Sequence, residues 1–482
     1  MAPLRVLIVD DSALSRQALR QVLELDRGLT VAGEAKTGEE AIALVRAMRP
    51  DLVTMDLNMP GMGGLKAIEA IIRERRLPIV VISERSSTAG VDLNYEALSR
   101  GALELVPKSA VFGAEADDAK RFAERIRALA ESHARRDSKP PVAPRPAEVA
   151  PPHEPPAILG LGASTGGPRA LAKVLSELPK DYPLPIAVVQ HMAEDFFDSF
   201  VRFLGDASGR RVVQAESGVL MQPGMVYVAP PRQELFVRDN LLIRLTPAPA
   251  TARITPSVDS LFFSLASSFK GRGLGVLMTG MGDDGAEGLL RMRRLGARTV
   301  VQDRASCAVF GMPKAAIELG AAEVVLSLDE IPAYLVDAVR SGGRPVARAA
   351  AAPPLPPERR RVLVVDDDRA ALDAAKKALE GAGFEVHTAD NPMMVAGIVR
   401  RTPMDLVLLE PDLRTMKGAV VVQSLRGMSS VPVFVHANLG IDELRARATA
   451  IGAAGYVRKG DAAALVREVS AFLGAATRPL RN

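Results

Sequence analysis

The chain has 482 residues, 48% hydrophobic and 24% charged, which gives enough apolar material for about three cores and too much for wholesale disorder. Its 61 basic residues stand against 57 acidic ones, aromatics make up 4% and Trp is absent, so neither a basic stripe nor a row of stacking side chains points to a nucleic-acid partner. A single cysteine, Cys307, excludes an internal disulfide and a cysteine-built zinc site; it is expected to be buried rather than reactive.

The start, MAPLRVLIVDD, runs into a charged pair with no apolar signal core, and no apolar run of about 20 residues follows. A cytoplasmic protein with no direct membrane insertion is therefore expected. Taken in order, short β-branched runs alternate with segments of helical period such as Ala13–Leu25 and Arg369–Gly381. Two proline-rich stretches interrupt this pattern: Arg136 to Pro156, RDSKPPVAPRPAEVAPPHEPP, and Ser341 to Pro357, SGGRPVARAAAAPPLPP. Read as linkers, they divide the chain into 1–135, 157–340 and 358–482.

The first and third pieces repeat one another. Arg5-VLIVDDS matches Arg361-VLVVDDD, Pro50-DLVTMD matches Met404-DLVLLE, Leu77-PIVVIS matches Val431-PVFVHA, and Gly101-ALELVPK matches Gly452-AAGYVRK. With only two copies this is a duplicated domain rather than a solenoid. In the middle piece, Ile158–Ala163, Ile186–Gln190, Val226–Ala229, Gly275–Thr279 and Thr299–Gln302 read as strands, and Pro168–Leu178, Ser257–Phe269 and Gly285–Leu295 as helices. All three pieces are therefore expected to be α/β, each a doubly wound parallel sheet.

In open α/β sheets the functional crevice lies at the carboxyl ends of the strands. In the first piece those ends carry Asp10 and Asp11, Asp56, Ser83 and Lys108. Converging carboxylates repel unless they share a hard divalent cation, for which Mg²⁺ is the natural choice; Lys108 and the Ser83 hydroxyl would then meet a phosphoryl group on one carboxylate. A lone aspartate pair after a strand is as readily a helix cap, but the whole ordered set, with Asn58-MPGMGG behind Asp56, argues against that. The piece resembles a response-regulator receiver domain, a flavodoxin-like fold. The resemblance implies Asp56 as phosphoacceptor, Mg²⁺ bound by Asp10, Asp11, Asp56 and the Asn58 carbonyl, and Ser83 and Lys108 as sensors of the phosphoryl group.

In the middle piece Gly162-Ala-Ser-Thr-Gly-Gly-Pro168 follows a strand and opens a helix, the G-x-S-x-G pattern that exposes a serine on a tight turn. A phosphate-binding glycine loop is the competing reading, but it lacks the Gly-Lys-Ser/Thr of a nucleotide site. Any Ser–His chemistry here must use His191, the sole histidine of this piece. Asp283 and Asp284 in Thr279-GMGDDGAEG, and more weakly Asp303, are the carboxylates available to orient it. GASTGGP, QHM with Phe196 behind it, LMTGMGDDGAEG and Ser306-CAVFGMPKAA together resemble the catalytic domain of chemotaxis protein-glutamate methylesterases of the CheB type. That resemblance implies Ser164 as nucleophile, His191 as general base and acid, Asp284 as the orienting acid, and amides near Thr165 and Met281 as the oxyanion hole. It also implies methyl-accepting chemoreceptors as substrates for demethylation and deamidation, and activation by a chemotaxis-type histidine kinase. Ala193, Pro231–Glu234 and Thr255 depart from the family pattern.

In the third piece the step from Asp405 to Glu410 equals that from Asp51 to Asp56, so Glu410 occupies the acceptor position, while Ala437 replaces the switch hydroxyl. Asp366, Asp367 and Lys459 remain; Asp412 as a displaced acceptor conflicts with the register. A degenerate receiver-like domain that takes no phosphate is expected. The whole is read as a phosphorylation-regulated methylesterase and deamidase, the competing class being a receptor-binding adaptor without catalysis.

Overall fold

The computed structural model of the protein describes residues 3–84, 87–88, 91–112, 116–136, 154–248, 254–341, 360–401, 404–426 and 431–475. Most of both expected linkers, 137–153 and 342–357, lies outside the described residues. These residues form two compact units, 1–355 and 356–482, so the first two of the three expected pieces pack together.

The first body is a five-stranded parallel sheet in the order Leu29–Ala35, Leu4–Val9, Leu52–Met55, Ile79–Ser83, Glu104–Pro107. Alternation along a strand sends successive side chains to opposite faces. Val6 and Ile8 accordingly join Leu19, Leu23, Phe122 and Ile126 on one side. Leu7 and Val9 join Ala41, Val45, Ile68 and Ile71 on the other. With both faces covered, the central strands Leu52–Met55 and Ile79–Ser83 are fully buried and largely apolar. The first helix, Ala13–Leu23, is capped by Ser12, which accepts from the Ser15 amide; it stops two residues short of the expected Leu25.

The second body centres on seven parallel strands, ordered Val212–Gln214, Val226–Val228, Ile186–Gln190, Ile158–Ala163, Gly273–Leu277, Arg298–Gln302, Val324–Leu326. The chain enters at Ile158–Ala163, winds outward through Ile186–Gln190, then returns to wind the other way from Gly273–Leu277. The crevice between Ile158–Ala163 and Gly273–Leu277 is thus a topological switch point. An antiparallel hairpin, Gln233–Val237 with Ile243–Pro247, lies outside this sheet; neither it nor the short strands Val212–Gln214 and Val324–Leu326 was expected from the sequence.

The two bodies meet on named side chains. Tyr95 Oη donates to the Phe196 carbonyl at 3.1 Å, and its ring lies 5.1 Å from that of Phe203. Arg169 Nη1 donates to the Gly101 carbonyl at 3.1 Å. Ala308 and Val309 of the second body belong to the same apolar cluster as Val106, Val111 and Phe122 of the first.

The last unit repeats the sheet of the first body: Glu385–Ala389, Arg361–Val365, Leu406–Leu409, Val433–Ala437, Gly455–Arg458, all parallel. The duplication extends to single bonds. Asp51 accepts from the Arg5 amide and Asp405 from the Arg361 amide, both at 2.8 Å. The Gly64 amide donates to Leu57 O as that of Gly418 donates to Pro411 O. No described helix is long and apolar enough to cross a membrane.

Candidate active site

Ser164 follows a fully buried strand and is fixed by its backbone from two sides. Its amide donates to Thr279 O at 3.0 Å, and its carbonyl accepts from the Gly167 amide at 2.7 Å. Gly166, at φ 76°, makes the left-handed turn into the helix Gly167–Glu177, with Pro168 in its first turn. The loop after the Gly273–Leu277 strand presses on the serine: a Cβ on Gly280 would stand 2.8 Å from Ser164 Cβ and 2.2 Å from Met312 Sδ.

His191 directly follows the neighbouring strand Ile186–Gln190, and its amide donates to Ala163 O at 3.1 Å. Its ring Nε2 lies 2.8 Å from Asp284 Oδ2, with the two side chains 11% and 12% exposed. That leaves Nδ1 as the second ring nitrogen. No hydrogen bond joins the ring to the Ser164 hydroxyl among the described residues; catalytic contacts are often loose until substrate arrives.

Of the three carboxylates open in the sequence, it is Asp284 that reaches the ring. Asp283 is exposed, and Asp303 accepts from the Ser306 amide and hydroxyl at 2.9 and 2.6 Å, shaping the loop before Cys307. Asp284 sits against the N-terminus of the helix Val258–Phe269. Its Oδ1 accepts from Ser257 Oγ at 2.9 Å and from the Asp259 amide at 3.0 Å, while Oδ2 accepts from the Val258 amide at 2.7 Å. Burial alone would raise the Asp284 pKa. The hydrogen bond and charge of His191, then the two helix amides, outweigh it and hold the carboxylate below its usual range. Neighbouring Asp259 goes the other way, raised by burial and then by the charge of Asp284.

This cradle was not read from the sequence, although Ser257 opening a helical run is a readable N-cap signal. Of the three departures from the family pattern, one supplies a support and another lies close by in sequence. Glu234, 4% exposed, accepts from the Ser257 amide at 2.9 Å, and Thr255 lies two residues before Ser257. Thr165 is buried and Met281 partly exposed, and neither amide donates to a described acceptor, so both remain available to an oxyanion. Cys307 is buried, its thiol against Gln302 O.

In the first body Asp10, Asp11 and Asp56 bring oxygens within 4.8 Å of one another. Lys108 Nζ lies 2.9 Å from Asp10 Oδ2 and 3.0 Å from Asp56 Oδ2. Asp10 Oδ2 is buried and receives no directed hydrogen bond, a donor set that suits Mg²⁺. Burial raises the Asp56 pKa even though Lys108 opposes it. Burial works against the Lys108 ammonium, but Asp10 and Asp56 outweigh it and raise its pKa. Asn58, two residues after Asp56, is exposed; Ser83 is buried, its hydroxyl donating to Glu84 O at 3.1 Å.

The last unit builds the pocket differently. The Glu410 amide donates to Val365 O as that of Asp56 donates to Val9 O. Lys459 Nζ lies 2.5 Å from Glu410 Oε2 and 2.6 Å from Asp366 Oδ2. Asp367, however, turns to the Arg414 amide at 2.7 Å, and Asp412 pairs with Arg447 at 2.7 Å, so no three-carboxylate cluster assembles among its described residues.

A receiver sheet packed on an α/β body that gathers Ser, His and Asp at its switch point defines a response regulator with a hydrolytic effector domain. The CheB methylesterase family model matches residues 159–335, and the response regulator receiver domain model matches 6–113 and 362–470. Protein-glutamate methylesterase/protein-glutamine glutaminase 3 of Anaeromyxobacter dehalogenans (strain 2CP-C) is 41% identical over 332 residues, 68% of this chain and 97% of that protein. Protein 1 of that name from Dechloromonas aromatica (strain RCB) is 39% identical, covering 70% and 98%, and protein 3 from Myxococcus xanthus (strain DK1622) is 40% identical, covering 71% and 97%. The chain belongs to the CheB family of protein-glutamate methylesterases/protein-glutamine glutaminases, with a second receiver domain at 362–470.

Proposed function

We propose that Ser164, His191 and Asp284 hydrolyse γ-glutamyl methyl esters, and deamidate glutamines, on the cytoplasmic helices of methyl-accepting chemoreceptors. The observation that carries this reading is the His191 Nε2–Asp284 Oδ2 contact of 2.8 Å on a carboxylate held by a helix N-terminus. Asp284 fixes the ring and balances its charge once protonated. His191 takes the Ser164 proton as Oγ bonds to the γ-carbonyl carbon, and the Thr165 and Met281 amides face the developing oxyanion. The ring then gives that proton to the leaving group as the tetrahedral intermediate collapses: to the ester oxygen, releasing methanol, or to the amide nitrogen of a glutamine, releasing ammonia. Water attacks the acyl-serine with His191 again as base, restoring serine and leaving glutamate.

Regulation, on this reading, begins with phosphoryl transfer from a chemotaxis-type histidine kinase to Asp56. Asp10, Asp11, Asp56 and the Asn58 carbonyl would hold Mg²⁺, whose charge offsets that of the phosphoryl oxygens; Lys108 and Ser83 would meet the same oxygens. Ala308, against which a Cβ on Gly166 would stand at 2.3 Å, lies beside the nucleophile turn and in one apolar cluster with receiver residue Val111. The unphosphorylated receiver is therefore read as covering that flank of the site. The working division is a receiver at 1–135, an esterase at 157–340 and a phosphate-refusing receiver at 358–482, in a cytoplasmic protein with no nucleic-acid partner.

The test is methanol release from methylated receptor cytoplasmic fragments. Wild type should release methanol, Mg²⁺ with acetyl phosphate should raise the rate, and Ser164→Ala should abolish it. Receptor binding without release from any sample would replace this reading with the adaptor.

A further inference from the structure

We infer that Gln190 is a positioning residue that sets the nucleophile and the base relative to each other, an inference resting on the catalytic reading above. Gln190 ends the strand Ile186–Gln190 and is 3% exposed. Its side-chain Nε2 lies 2.8 Å from the Ser164 carbonyl and 2.8 Å from the His191 carbonyl. Both partners are acceptors, so the amide orientation follows from the network: only the NH₂ end satisfies the two carbonyls. Each proton of that group serves one of the two residues.

The other end of the amide carries an independent sign. Gln190 Oε1 is buried without a hydrogen-bond partner, a cost the fold accepts where a methyl-terminated side chain of similar size would avoid it. It stands where a side chain at Gly167 would go, since a Cβ there would fall 1.9 Å from Oε1. Gly167 in turn donates its amide to the same Ser164 carbonyl. The Ser164 carbonyl is thus held from two directions, and the glutamine ties that anchor to the backbone of His191. A bridge between adjacent strand ends fixes the distance that proton transfer needs, where misplacement by about 1 Å costs on the order of 10²-fold in rate.

The experiment compares the full chain as wild type, Gln190→Met, Gln190→Glu and Ser164→Ala, activated with Mg²⁺ and acetyl phosphate, by methanol release from methylated receptor fragments, with folded fraction from thermal melts. Gln190→Met keeps length but offers neither donor nor acceptor. It should lower kcat about 10- to 100-fold with KM changed less than about threefold, because the alignment it disturbs matters to the reaction and not to docking. Gln190→Glu keeps shape but points a carboxylate at two carbonyls. Protonated, it donates to one of them, so its rate relative to wild type should rise as pH falls from about 8 to 6. A glutamine that only fills the strand end would leave kcat per folded molecule within about threefold of wild type in both variants, with a flat ratio across pH, and that result overturns the inference. If Gln190→Met does not fold, the pH ratio of Gln190→Glu decides alone. Methanol release surviving in Ser164→Ala would instead defeat the catalytic reading, so the two failures are distinct.

Discussion

A single carboxylate separates this site from an ordinary cluster of polar side chains. Asp284 accepts four hydrogen bonds, one from His191, one from Ser257 Oγ and two from helix amides, and so stays charged although buried. Asp284→Asn should keep the shape but lose the charge that steadies a protonated His191. One amide end must also present N–H groups to helix amides that themselves donate. We expect kcat to fall by about 10³- to 10⁴-fold with a smaller change in KM, read by methanol release. The stability consequence has a definite sign. A carboxyl whose folded pKa is depressed contributes stability above its unfolded pKa and loses it as pH falls through the folded value. The melting temperature of Asp284→Asn should therefore lie furthest below wild type near neutrality, with the gap narrowing at acidic pH. A constant gap across the range would show that the charge is not what the cradle stabilises.

Close packing between elements, rather than any one bond, brings the helix Val258–Phe269 to the acid. Gly162 and Gly285 leave room for Val258, since a Cβ on either would fall 2.2 or 2.6 Å from Val258 Cγ1. Gly162→Ala should push back Val258, whose amide holds Asp284, costing about 1–3 kcal/mol of stability and lowering kcat at least tenfold. Gly160→Ala is the control on the same strand. Its Cβ would meet Leu265 Cδ1 at 2.5 Å, the end of a flexible side chain with no bond to Asp284, so it should cost stability and spare kcat per folded molecule. Equal losses of kcat in both would remove the special role of Val258. This scale also marks where sequence reading stops. Asp10, Asp56, Ser164 and His191 were legible because alternating β-branched runs and helices place the residue that follows a strand's carboxyl end at the crevice. The cradle was not, because Ser257 and Glu234 are brought to Asp284 by a helix and a hairpin remote in sequence, and three-residue strands such as Val324–Leu326 carry too few residues to show a period.

At the scale of the whole chain, two receiver sheets with the same strand order differ at their pockets. The first gathers three carboxylates within 4.8 Å, with a lysine bridging two of them, and keeps a hydroxyl at Ser83. In the last, Glu410 reaches Lys459 with its extra methylene, Asp367 is drawn off to the Arg414 amide, and Ala437 supplies no hydroxyl. On the reading proposed for the first receiver, the last one lacks the counterparts of its acceptor, of one cation ligand and of one hydrogen bond to the phosphoryl group. The register of this comparison was already readable, because Asp405 and Asp51 clip the amides of Arg361 and Arg5 at the same step before the acceptor position. The direction in which Asp367 turns was not, since it depends on the backbone of the loop at Arg414. Acetyl phosphate with Mg²⁺ should therefore label wild type to about one equivalent, not two, and label Asp56→Ala negligibly, as read by intact-protein mass spectrometry at neutral pH. Near one equivalent on Asp56→Ala would make Glu410 or Asp412 an acceptor and return the last domain to the class of switchable receivers.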